Sequence, residues 1–172
     1  MPQILNIVNQ FKIQGKVREI TPLGNGLIND TYRVKTDGPD DYVLQRINNA
    51  IFQDVALLQR NIELVTEHLG KKLAGDADAG RKVLRFIPLK DSSKTYYKAQ
   101  DGTFWRISVF IKDSFTQEAV TPESARCAGK AFGNFEAQLS DLPYELGETI
   151  PDFHNMELRA RQLDEAVASD KA

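Results

Sequence analysis

Residues 20–48 read ITPLGNGLINDTYRVKTDGPDDYVLQRIN. Two turn signals divide this stretch into three predicted strands. Gly24 and Gly26 mark the first turn, because glycine bends the chain without steric cost, and Asp37-Gly38-Pro39 marks the second. Apolar and polar side chains alternate between these turns, which is the period of a half-buried strand. The segment therefore predicts three antiparallel strands with a glycine turn at one end.

The third of these strands, residues 42–47, carries an amide and a cation in an otherwise apolar run. Kinase-type lobes cover nucleotide phosphates with a glycine hairpin and hold their charge with a cation on a following strand. Gln45 and Arg46 project to opposite faces of the strand, so only one of them can face a nucleotide. Arg46 is favoured, since a guanidinium suits phosphate oxygens, and Gln45 is the alternative.

The rest of the first two thirds of the chain predicts one α+β lobe. Asp54 is a reasonable N-cap for a helix over residues 55–69, which Gly70 is expected to end. A short amphipathic helix over residues 2–11 is expected to pack on the lobe from outside. Further strands are predicted at residues 83–87, 96–97 and 104–111, with a hairpin turn at Asp101-Gly102. The fold expected from these elements is a five-stranded antiparallel sheet plus a helix.

The composition becomes helical after Ile111, which predicts two units, residues 1–112 and residues 113–172. Thr121 and Pro122 begin one helix, and residues 157–171 form a second. We expect the second unit to be truncated, because its last helix reaches the final residues without a capping glycine. The apolar stripes of both helices lack partners, so we also expect self-association.

Composition narrows the class of protein. The chain has 172 residues, 41% of them hydrophobic and 27% charged, with a net charge of −2. This balance gives no strong attraction to nucleic acid or to anionic membranes, and neither is expected as a partner. One cysteine, Cys127, cannot form an internal disulfide or a multi-cysteine zinc site. We therefore expect a cytoplasmic protein.

Three motifs occur in order along the chain: Gly26-x-Ile28-Asn29-Asp30-Thr31-Tyr32, Tyr42-Val43-Leu44-Gln45-Arg46-Ile47-Asn48 and Asn61-Ile62-x-x-Val65-Thr66-x-His68-Leu69. Together they resemble the amino-terminal part of the aminoglycoside-phosphotransferase-like small-molecule kinases, most closely the N-acetylhexosamine 1-kinase group. The resemblance spans nearly the whole chain but only the first half of the family's length. It implies a protein-kinase-like N-terminal lobe followed by the first helices of a helical C-terminal lobe.

The resemblance also implies roles for particular residues. Gly24, Gly26 and Asn29 would shape the phosphate loop, and Arg46 or Gln45 would face the nucleotide. Glu63 and Glu67 are both candidates for the helix glutamate that pairs with the strand cation. Ile111 and Asp113 lie in the connector that would contact the adenine edge. Asp30 matches a sugar-contacting aspartate, whereas Leu27 replaces the sugar-contacting histidine that the hexosamine kinases have three residues before that aspartate.

The function implied is the nucleotide-binding part of an ATP-dependent sugar kinase, which transfers a phosphoryl group from ATP, with Mg²⁺, to a sugar hydroxyl. Phosphoryl transfer needs an H-x-D…N catalytic loop and metal-binding carboxylates. His68 and His154 do not lie in such a loop, so no catalytic residue and no metal ligand is assigned in this chain. We expect the chain alone to be inactive and its parent to be an enzyme. Two alternatives stay open: a catalytically dead kinase-like binding or regulatory module, and a choline- or homoserine-kinase-like phosphotransferase.

Overall fold

The computed structural model describes residues 2–24, 26–115, 117 and 119–170. It is an α+β structure with a five-stranded antiparallel sheet, as the sequence predicts. The elements, in chain order, are α1 (Pro2–Val8), β1 (Val17–Pro22), β2 (Asp30–Thr36), β3 (Tyr42–Ile47), α2 (Val55–Lys72), α3 (Ala79–Lys82), β4 (Tyr96–Lys98), β5 (Phe104–Val109), α4 (Pro122–Leu139) and α5 (Met156–Ser169). The strand order is β1-β2-β3-β5-β4.

The main core lies between one face of the sheet and α1. Alternation along the strands places Leu44 of β3 and Ile107 of β5 on this face, where both are fully buried. Phe11, in the segment that follows α1, packs into the same core. The intervening residues, Val43 and Gln45 of β3 among them, face the opposite side, toward α2. One face of the sheet therefore forms the core, and the opposite face is partly exposed to solvent.

Local capping fixes where the long helices begin. The Asp54 side chain accepts a hydrogen bond from the backbone N–H of Leu57 at 2.9 Å, as predicted for the N-cap of α2. Thr121 and Ser124 form a reciprocal capping box at the start of α4. The prediction that Gly70 ends α2 is wrong. Gly70 does not take a left-handed conformation, and the helix continues to Lys72.

Two other predicted elements differ from the structure. The helix predicted over residues 2–11 ends at Val8, because Phe11 instead forms a β-bridge with Leu89. Residues 83–87 form no full strand, only a bridge between Phe86 and Ser108. Val83 closes the short helix α3, and Pro88 has no N–H to continue a ladder.

The helical segment attaches to α2 through polar contacts. Asn61 exchanges two hydrogen bonds with the backbone of Gly147, at 2.7 and 3.1 Å. Lys72 binds Asp141, and this hydrogen bond lowers the pKa of the Asp141 carboxyl. His68 lies within 3.1 Å of Asp141 and of the Gln138 carbonyl. Asn61 and His68 of the third sequence motif, together with Lys72 beyond it, therefore hold this segment.

The described part of α4 and α5 buries no residue. Large apolar side chains on it face solvent, including Phe132, Leu163 and Val167, which are 71%, 64% and 72% exposed. The predicted end of the second helix, at Lys171, lies outside the described residues. Among those that the structure describes, no helix combines the length and apolarity needed to cross a bilayer.

Candidate functional site

A small cleft of about 360 Å³ opens on the α2 side of the sheet, between the glycine turn and the connector that follows β5. Its walls are mostly apolar and its polar corner lies on β3 and β5. The lining residues are Leu23, Val43, Gln45, Ile62, Leu84, Phe86, Arg106, Ser108, Val109, Phe110, Ile111 and Ser114. None of these is acidic, so the cleft joins apolar surface to a single cation.

Gln45 and Arg106 form the polar corner. They are directly paired in the β3–β5 register, and the Arg106 Nε donates to the Gln45 Oε1 at 3.0 Å. The Gln45 Nε2 in turn donates to the Thr31 Oγ1 at 3.3 Å. The Arg106 guanidinium lies 5.5 Å from the centre of the Phe86 ring. Burial lowers the pKa of Arg106 from its usual value. The corner therefore holds a half-buried cation in a fixed position.

A second arginine on this face is in a different electrostatic state. Arg33 binds the Asp41 carboxylate at 2.8 Å and stacks over the Phe110 ring at 4.3 Å. The hydrogen bond from Arg33 lowers the pKa of Asp41, which keeps the pair ionised. Arg106 has no carboxylate partner among the described residues. Of these two arginines on the cleft side of the sheet, Arg106 is therefore the one whose positive charge is not paired with a carboxylate.

A larger cleft, of about 940 Å³, lies between α2, α3 and the connector. It contains side chains of both signs: Asp40, Glu63, Glu67 and Asp113 carry negative charge, and Arg81, Arg85 and Lys112 carry positive charge. Arg85 is already paired with Asp40 at 2.8 Å. This cleft is larger but does not present a net cation to an anionic ligand.

The two glutamates singled out on α2 line the larger cleft and contact neither Gln45 nor Arg106. The Glu63 carboxylate accepts a hydrogen bond from the Thr95 hydroxyl. Glu67 is paired with Lys71 at 2.8 Å, and the hydrogen bond from Lys71 lowers the pKa of Glu67. The structure therefore does not bring a helix glutamate together with the β3 side chains.

The connector after β5 borders both clefts, which share lining residues, and it is held by its neighbours. Ile111 lines both clefts, and its carbonyl accepts a hydrogen bond from the Ser114 hydroxyl at 2.9 Å. The Lys112 carbonyl accepts from Arg81 at 2.6 Å. Asp113 takes a left-handed φ of 57° and lines the larger cleft. This anchored connector forms one edge of the small cleft.

Gly24, Gly26 and Asn29, the residues predicted to shape a phosphate loop, line neither of these clefts. Gly24 has a φ of +72° with open space around it, and Gly26 lies close to the Asn29 carbonyl. The Asn29 Oδ1 accepts from the Asn48 backbone N–H at 2.9 Å, which fixes the base of the turn. Leu27 is fully exposed. Between the two glycines, Asn25 lies outside the described residues.

Arg46 lies on the opposite face from the small cleft. It is paired in register with Trp105, and its guanidinium binds the Asp30 carboxylate at 3.3 Å. The structure places Gln45, and not Arg46, on the wall of the small cleft, and which of the two faces a nucleotide stays a prediction. Sequence reasoning missed Arg106, although the alternation of β5 sets it apart from Trp105 and Ile107.

No known protein-family model matches the chain. Within the described residues, no three His, Cys, Asp or Glu side chains lie close enough together to hold a metal ion.

Proposed function

We propose that this chain is the nucleotide-binding part of an ATP-dependent phosphotransferase that acts on a sugar hydroxyl. The small cleft carries this proposal. Its volume, about 360 Å³, falls within the size range of small-molecule sites, which are mostly apolar with a few convergent polar groups. An adenine base would lie between the apolar walls near Val43, and the phosphates would extend toward Arg106.

The arrangement of the sheet supports the same reading. A glycine turn joins β1 to β2, a central strand follows, and a connector leaves the sheet after β5. Kinase-type lobes place a glycine-rich turn over the phosphates and a basic side chain beneath them. Charge favours the small cleft over the larger one, because four carboxylates and three cations line the larger cleft, whereas the charged residue that lines the small cleft is a cation, Arg106.

The proposed acceptor and cofactor rest on the family resemblance. Bound ATP would supply the phosphoryl group, and Mg²⁺ would neutralise its charge. Gln45 and Arg106 are the residues that fit the phosphates. Asp30, the residue matched to a sugar contact, is paired with Arg46 outside the cleft. The described residues bind and orient the nucleotide, and none is assigned to proton transfer.

Filling the small cleft should weaken the binding of the base. Val43 is half-buried on its wall, and a strand position accepts phenylalanine. We expect the wild-type chain to bind ATP and adenosine with a Kd of roughly 0.1–1 mM, since the cleft is open on one side. Val43→Phe should weaken both by about tenfold or more, because the added ring occupies the space of the base. Isothermal titration calorimetry measures both.

Val120→Phe is the matched control, because Val120 is 83% exposed and outside the cleft. Its affinities should equal those of the wild type. If neither ligand binds the wild-type chain, the nucleotide proposal is wrong. If ATP binds but both phenylalanine variants bind it as well as the wild type, the base lies elsewhere.

A second candidate function is a kinase-like module that acts by binding a partner. The exposed apolar side chains of α4 and α5 favour it. Multi-angle light scattering should then show self-association that grows with protein concentration. Phe132→Glu should reduce it, whereas Lys130→Glu, on the same helix, should not to the same degree. A monodisperse wild-type monomer at all concentrations would contradict this expectation.

A further inference from the structure

We infer that Arg106 of β5, positioned by Gln45, is the cation that binds the nucleotide phosphates. This inference rests on the proposed function, because it assigns the charge-bearing residue of the same cleft. The inference places the phosphate-binding cation on β5, whereas the family resemblance implies a cation on the neighbouring strand β3.

The Arg106 charge is uncompensated. Its Nη1 is buried and has no hydrogen-bond partner, and no carboxylate among the described residues pairs with the guanidinium. Burying a cation without a partner opposes folding, and breaking a buried pair is costly for the same reason. An anionic ligand in the cleft would supply the missing partner. Such a ligand would also give the buried donor an acceptor after a small rotation of the side chain.

Gln45 holds the guanidinium without neutralising it. Its Oε1 accepts from the Arg106 Nε at 3.0 Å, and its Nε2 is fixed by the Thr31 hydroxyl at 3.3 Å. A neutral amide leaves the full positive charge available to a ligand, whereas a carboxylate at the same position would cancel it. Thr31 follows Asn29 and Asp30 at the end of the glycine turn. The arrangement therefore connects that turn to the cation.

The other arginines on these strands already have partners. Arg33 shares the face but binds Asp41 at 2.8 Å. Arg46 lies on the other face and binds Asp30 at 3.3 Å. A phosphate would have to displace a carboxylate from either of them. Arg106 requires no such exchange.

The test compares ATP with adenosine, because the two ligands differ only in the phosphates. Calorimetry on the full chain would use the wild type, Arg106→Met, Gln45→Glu, Arg46→Met and Arg18→Met. We expect Arg106→Met to weaken ATP binding about 10- to 100-fold, the usual effect of losing a hydrogen-bonded charge, and to leave adenosine within about twofold. Gln45→Glu should act in the same direction, since it introduces a negative charge against Arg106 and keeps the shape.

Arg18→Met is the matched control, because Arg18 is paired with Asp37 away from the cleft. Thermal unfolding of each variant confirms that it is folded. If the wild type binds ATP and neither Arg106→Met nor Gln45→Glu weakens it more than Arg18→Met, the inference is overturned while the proposed function stands. A larger loss in Arg46→Met than in Arg106→Met would also overturn it. If the wild type binds neither ligand, the proposed function fails, and the inference fails with it.

Discussion

Phe11→Ala should lower the free energy of unfolding by about 3–5 kcal/mol, the usual cost of emptying a core site of an aromatic ring. Phe11 is fully buried and belongs to the main core between α1 and the sheet. Its backbone region also pairs with residues 88–90: the Lys12 N–H donates to the Pro88 carbonyl at 2.9 Å, and the Lys90 N–H to the Gln10 carbonyl at 2.8 Å. The ring therefore anchors both α1 and the loop before β4.

Urea denaturation measures this loss as a shift in midpoint at constant slope. Leu5→Ala is the matched control, since Leu5 lies on the neighbouring helix α1 but is 39% exposed. Its effect should stay within about 0.5 kcal/mol, as for surface positions in general. A Phe11→Ala chain as stable as the Leu5→Ala chain would mean that the Phe11 ring does not fill the core.

Sequence reasoning succeeded where the physics is local. The N-caps of α2 and α4 follow from Asp54 and Thr121, because the cap hydrogen bond spans only three residues. The β3 strand lies between two turn signals, and its bounds at Tyr42 and Ile47 match the prediction. The five-stranded antiparallel sheet followed from these signals and from the Asp101-Gly102 turn.

Prediction failed where long-range pairing decides the structure. Residues 83–87 have strand-like composition, yet only part of this run bonds to β5, through Ile87 and Arg85. Alternation also showed that the side chains of Gln45 and Arg46 lie on opposite faces of β3. It did not show which face α1 covers, because both faces of β3 contain apolar residues. The β3–β5 register, which brings Gln45 and Arg106 together, joins residues far apart in sequence. The same holds for Glu63, whose partner is Thr95.

Gly15→Ala should destabilise the chain by about 2–4 kcal/mol, because two costs add at one position. Gly15 has a φ of +86°, and a Cβ there would lie 2.5 Å from the Gly38 backbone nitrogen. The contact closes the end of the β1–β2 pair, where the Lys16 N–H donates to the Asp37 carboxylate at 2.6 Å. A shift of this backbone would also disturb the Arg18–Asp37 ion pair.

Two further alanine variants separate these costs. Gly102→Ala has a similar φ of +81° but open space around the new Cβ, so it should cost only about 1–2 kcal/mol. Gly38→Ala has no positive φ, but its Cβ would lie 2.6 Å from the Gln14 carbonyl oxygen, so it isolates the steric part. Urea denaturation of the three variants measures each cost. Equal losses in Gly15→Ala and Gly102→Ala would show that the close approach of the two turns adds nothing to the cost of the backbone conformation.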